Sequence, residues 1–300
     1  MLSKETMKKY KRAGRIASKV RNEAKSLVKP GIPLIDICEK VEKNIIRKGG
    51  QPAFPCNVCV NEVAAHYSSP LNDKSTIPDD AIVKIDIGVH VDGYIADTAT
   101  TVNLKPEYDG MVFAIEKTLK HVIKAVQPNV KTTQLGETAK KTIEQYGFKP
   151  IWNLTGHQMK RYLLHAGKSI PSVPRFTMSR LKSDEVFAVE PFLTLSSGSG
   201  EVHGLTEAYI LRYHRSKSTR NPKARDLLDV IEKKYRYLPF SQRWLKDVLQ
   251  PEELNHAFKD LLSNRSISAY PVLVEKNKQA VAQAEHTLIV TETGCVVTTL

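Results

Sequence analysis

The residues best suited to chemistry in this chain are four carboxylates and one imidazole set among apolar neighbours: Asp86, Asp97, His157, Glu190 and Glu285. Asp86 and Asp97 lie in two alternating, β-rich runs, AIVKIDIGVHV (81–91) and YIADTATTVN (94–103), separated by Asp92-Gly93. That dipeptide between such runs predicts a two-residue hairpin turn. With the turn there, Asp86 faces Ala99 and Asp97 faces Gly88, so both carboxylates share one face of the sheet. As diagonal neighbours they lie within about 8 Å of each other. Glu190 sits in FAVEPF and Glu285 in AVAQAEHTLIV, both strand-like, where acids are depleted and rarely buried unless paired. His157 sits in LTGHQM, read as a loop. An oxygen-rich set with one imidazole suits two adjacent Mn, Fe, Co or Zn ions acting on water. Singly, each acid reads at least as well as a structural residue, and the hairpin alone slightly favours a solvated polar face; the joint pattern is harder to dismiss.

The elements that must position these groups follow from periodicity and punctuation. Residues 4–28 and 33–48 read as amphipathic helices split by Pro30-Gly31. Helices are expected at 107–126 and 133–146, strands at 186–195 and 207–213, and three short helices at 222–236, 241–249 and 251–263. The last 30 residues return to β character. The order has no repeat and no alternating parallel unit, which predicts an α+β fold. A helical insert at 205–270 interrupts a catalytic domain made of 1–204 and 271–300.

Composition supports a globular chain. Of 300 residues, 41% are hydrophobic and 26% charged. No apolar run is long enough for a membrane helix, and MLSKETMKKYKRAGR is not a secretory signal. Four cysteines make no disulfide scaffold, so the cytoplasm is the expected compartment. The net charge of +13 is uneven. Residues 1–50 hold 14 Lys/Arg against 5 Asp/Glu, residues 205–270 hold 13 against 8, and the rest 18 against 19. Two readings stay open: solvated helix faces, or contact with a polyanion such as ribosomal RNA.

Beyond these patterns the sequence resembles a known family, the type II methionine aminopeptidases of the pita-bread fold, archaeal-like in lacking an N-terminal extension. The resemblance runs over nearly the whole chain. It is carried by AFPCNVCVNEVAAHY (53–67), KIDIGVHVDGYIADTATTV (84–102), LTGHQMKRYLLHAGKSIP (154–171), FAVEPF (187–192) and YPVL…QAEHT (270–287). The long gap between Glu190 and Glu285, which holds the insert, matches type II rather than type I.

The resemblance implies antiparallel sheets covered by helices and a metalloexopeptidase that removes initiator methionine from new chains. It implies two divalent ions, with Asp97 and Glu285 bridging them, Asp86 on one, His157 and Glu190 on the other, and a hydroxide between them as nucleophile. Glu190 would also shuttle the proton. His66 would contact the scissile amide nitrogen, His165 the substrate carbonyl, and Phe54 and Tyr270 would line the methionine pocket. A monomer and a small second substrate residue are implied as well. An aromatic beside a proline, as in Phe54-Pro55 and Tyr270-Pro271, reads equally as a rigid turn on the core.

Weaker signals complete the reading. Cys56-x-x-Cys59 has no second pair and reads as ordinary thiols. Gly198-x-Gly200 lacks the context of a nucleotide motif. His121, His203, His256 and His286 read as packing residues. Two rival functions are an Xaa-Pro type peptidase of the same fold and a non-catalytic RNA- or ribosome-binding homologue; retention of all five ligands argues against the second.

Overall fold

A computed structural model describes residues 2–300. Helix α1, Lys4–Lys25, starts where the Ser3 hydroxyl accepts from the Thr6 amide. Its apolar stripe, including Tyr10, Ile16 and Val20, lies against the central hairpin. Helix α2 is Leu34–Arg47, with Pro33 just outside it. Short strands β1, Asn57–Val60, and β2, Val63–Ala65, follow. Next come the long strands β3, Ile82–Val91, and β4, Tyr94–Asn103. Both turn residues, Asp92 and Gly93, have positive φ (51° and 83°), the primed-turn geometry that matches strand twist.

Helices α3, Asp109–Ala125, and α4, Thr132–Gln145, pack together. They cover strands β5, Thr155–Met159, β6, Ser169–Pro171, β7, Val186–Val189, and β8, Phe192–Thr194. The run 186–195 is thus two strands, broken at Glu190-Pro191, where proline cannot donate to a ladder. His157 lies inside β5, paired with Ala188 of β7, and not in a loop as the sequence suggested. TGHQM carries no alternation to mark it; the backbone of β7 recruits it.

Residues 205–270 hold a three-stranded sheet as well as helices. Its strands are β9, Ile210–Tyr213, β10, Pro239–Ser241, and β11, Ile267–Tyr270, with β9 in the middle. Helices α5, Pro222–Tyr235, and α6, Pro251–Ser263, begin on prolines and cover it. The helix expected at 241–249 is only a 3₁₀ turn, Gln242–Leu245, because Pro239 and Phe240 extend into the sheet. Leu211, Leu227, Phe240, Phe258 and Ile267 belong to a separate apolar cluster within this segment.

The chain then adds β12, Leu273–Glu275, β13, Val281–Gln283, β14, His286–Val290, and β15, Cys295–Val297. One sheet centres on β3, which pairs with β1 and β4; another runs β15-β14-β7-β5-β6. All pairings in both are antiparallel. One large core lies between α1, α2 and the first sheet; a second lies under α3 and α4. The α+β expectation holds. No helix among the described residues is long and apolar enough to cross a membrane.

Candidate metal centre and active site

The hairpin sets the first two acids as its alternation predicted: Asp86 opposite Ala99, Gly88 opposite Asp97. Gly88 leaves room for Phe54, whose ring would lie 2.3 Å from a Cβ there. The strand carrying Asp97 is tied to β14 by side-chain bonds. The Asp97 amide donates to the Thr287 hydroxyl oxygen at 2.7 Å, and that hydroxyl donates to the Asp97 carbonyl at 2.8 Å. The Glu285 amide donates to the Ala99 carbonyl at 3.2 Å. Glu285 therefore enters between the two sheets beside the hairpin. Its ligand atom, with those of Asp97 and His157, falls in a group whose members all lie within 4.8 Å of one another. His157 Nε2 is 3.6 Å from Asp97 Oδ2 and 3.3 Å from Glu190 Oε1.

Asp86, Asp97, His157 and Glu190 line one cavity of about 210 Å³, together with Phe54, His66, His165 and Tyr270. Every site residue drawn from the sequence is thus in or directly against one cavity. Sequence reasoning missed nine further lining residues, among them Asn57, Leu164, Phe192 and Ile210. None carries a signal in its local pattern; Asn57 is found only through its pairing with Asp86 across β1 and β3.

Electrostatics mark the acids as unfinished. Burial raises the Asp86 carboxyl to about 7. Asp97 is raised well above its ordinary value by burial, then by Asp86 and Glu190. Glu190 and Glu285 are raised likewise, by burial first and neighbouring carboxylates second. Asp86 Oδ1, Asp97 Oδ1, His157 Nδ1 and both oxygens of Glu285 are buried without a hydrogen-bond partner. Buried acceptors are nearly always satisfied, so orphaned oxygens facing one another suit a bound cation. The donor set fits divalent metal.

The histidines are neutral. Burial lowers His165 to about 4, helped by His66 and Arg212. Burial likewise lowers His66, whose Nδ1 is 3.2 Å from the Pro271 carbonyl. A carbonyl only accepts, so Nδ1 carries the proton and Nε2 of His66 keeps a lone pair. The Tyr270 hydroxyl lies 3.5 Å from His165 Nδ1. With that hydroxyl donating, the proton of His165 sits on Nε2. His66 follows β2 at φ 68°, a left-handed conformation uncommon for a non-glycine residue. Cys56 and Cys59 are buried free thiols on or beside β1; burial pushes Cys59 up to about 12.

Comparison with known proteins agrees with this geometry. The model of metallopeptidase family M24 matches residues 8–292. A methionine aminopeptidase of Methanocaldococcus jannaschii is 46% identical over 295 residues, covering 98% of this chain and 99% of its own. Among solved structures, a thermophilic Arx1 superimposes with TM-score 0.87 at 20% identity, covering 99% of this chain and 91% of the other. A methionine aminopeptidase from Rickettsia prowazekii gives 0.70 at 19%, covering 100% and 99%. Antiparallel sheets backed by helices around a buried acid-and-imidazole nest define a metal-dependent hydrolase of pita-bread fold. The chain belongs to metallopeptidase family M24.

Proposed function

We propose that this chain, a metallopeptidase that removes N-terminal methionine, acts in the cytoplasm on the initiator methionine of nascent chains, with Asp86, Asp97, His157, Glu190 and Glu285 as its metal ligands. The observation that carries this reading is the nest of buried, unpartnered carboxylate oxygens at the floor of the cavity. Two divalent ions, drawn from Co, Mn, Fe and Zn, suit four carboxylates and an imidazole. Bound there, such ions acidify a water to make a nucleophile and polarise the scissile carbonyl.

The chain's own residues do the rest. Phe54 and Tyr270 form the walls that receive the methionine side chain. The free amine of the substrate lies at the acid nest, which makes the enzyme an exopeptidase. His165 donates from Nε2 to the carbonyl oxygen as it gains negative charge, the term that usually dominates such reactions. His66 accepts from the scissile amide N–H through its Nε2 lone pair. Glu190 takes the proton from the attacking water and delivers it to the leaving amine. Residues 205–270 serve as an insert subdomain that closes one side of the cavity through Ile210, Pro239 and Tyr270. The enzyme works as a monomer, and its basic segments dock it on ribosomes.

The test is hydrolysis of a Met-Ala peptide against an Ala-Pro peptide. Metal-stripped protein is assayed alone and after reconstitution with each of the four metals. Cleavage of the first peptide alone, and only with metal, supports the reading. Cleavage of the Ala-Pro peptide alone overturns it in favour of the Xaa-Pro class, and no metal-dependent cleavage in favour of a binding homologue.

A further inference from the structure

Arg212 stands on β9 two residues beyond Ile210, which lines the cavity. Alternation along a strand puts both side chains on one face. The guanidinium carbon lies 5.8 Å from the centroid of the Tyr270 ring. That ring is 5.9 Å from the His165 ring, and its hydroxyl meets His165 Nδ1. Arg212 also opposes the rise that burial imposes on the Tyr270 hydroxyl, so its charge is felt at the cavity mouth. No carboxylate of the described residues forms an ion pair with it. By contrast, the buried arginine of the same insert, Arg243, is held by Glu42 on two oxygens.

A half-buried guanidinium without an acid, beside the groups that handle the scissile carbonyl, is a place for a substrate anion. The methionine end of the substrate points inward to the acids, so the following residues leave past Tyr270 and Arg212. The guanidinium-to-ring and ring-to-ring steps together span no more than about 12 Å, the reach of three to four extended residues. We propose that Arg212 is a specificity-determining residue that favours substrates with a carboxylate on the third or fourth residue. The anion is an acidic side chain or the terminal carboxylate of a short peptide. This rests on the cavity being the methionine site.

The test uses metal-loaded enzyme and C-terminally amidated peptides Met-Ala-Xaa-Gly with Glu, Gln or Lys as Xaa. A free-acid Met-Ala-Gly is set beside its amide to separate the two sources of carboxylate. The Glu peptide is expected to exceed the Lys peptide in kcat/KM by about two- to fivefold, as a partly exposed charge pair would give. The difference should lie in KM and shrink between about 0.05 M and about 0.5 M salt. Arg212→Met should bring the three peptides together, and Arg212→Lys should keep their order. Equal kcat/KM for Glu and Lys peptides at low salt overturns the inference. So does a preference that ignores salt or survives Arg212→Met. The salt series needs only the wild-type chain. If the wild-type enzyme cleaves none of these peptides, the reading of the cavity falls, a result distinct from cleavage without charge preference.

Discussion

Two buried acidic sites in this molecule are built in opposite ways. Glu42, on α2, is 8% exposed in its side chain and fully partnered. Arg243 donates to its two oxygens at 2.7 and 2.8 Å, Trp244 Nε1 donates at 2.8 Å and the Cys56 amide at 3.1 Å. Every donor comes from the chain, so the site is complete and ties the segment after β10 to α2. In the nest, Asp97 and Glu285 are buried at least as deeply, yet Glu285 has no hydrogen-bond partner on either oxygen. Burying a carboxylate is tolerated only with compensation. Where the chain supplies it, the acid is structural; where the chain withholds it, something from outside must.

The comparison is broken first by emptying the nest. Removal of metal, or Glu285→Gln, should take peptidase activity to background, with metal restoring only the wild type; metal content by elemental analysis checks the cause. A smaller loss tests the wall of the site. His165→Ala should lower kcat by about 10²–10³ while metal content stays, the usual effect of one missing oxyanion donor. Next comes the completed site. Glu42→Gln should destabilise the fold by about 3–5 kcal/mol, because Arg243 is left buried and unpaired. Metal bound per folded chain should not change; denaturant melts report the first and elemental analysis the second.

The pH response sharpens the contrast further. Asp86, raised from 3.8 to about 7, binds more protons folded than unfolded when no metal is present. Its contribution is therefore complete below about pH 4 and is lost as pH rises through about 7. The other three acids shift the same way. Metal-free protein should thus lose stability relative to metal-loaded protein over that range, and a flat difference curve would remove the acids from a common site. The smallest effect on turnover belongs to charges in neither site. Lys8, Lys11, Arg12 and Arg15 are exposed on α1, whereas Lys9 is engaged by Glu5 and Asp92. Reversing the four exposed charges should weaken ribosome co-sedimentation at low salt and leave peptide hydrolysis unchanged.

What the sequence revealed follows the same division. The register of Asp86 and Asp97 was legible because alternation and Asp92-Gly93 are local signals. The joining of Glu190, His157 and Glu285 to them was legible only through motifs, since no local pattern encodes a contact between distant strands. The Glu42–Arg243 pair left no trace, being 201 residues apart in ordinary helical and turn contexts. The sheet within residues 205–270 was hidden because its strands are three to four residues long and one opens on Pro239. Arg212 was hidden because a cation in a basic stretch has no distinguishing neighbours.

The pair of hydrogen bonds between Asp97 and Thr287 spans 190 residues of chain. Synthesis runs from the first of these to the second in roughly 10–40 s at about 5–20 residues per second. Throughout that interval the hairpin acids exist without Glu285, and closing so long a loop is entropically unfavourable until β14 is made. The protein is therefore itself a nascent chain whose acid nest stays incomplete for most of its translation, and Glu285 joins the hairpin acids only when β14 has been made.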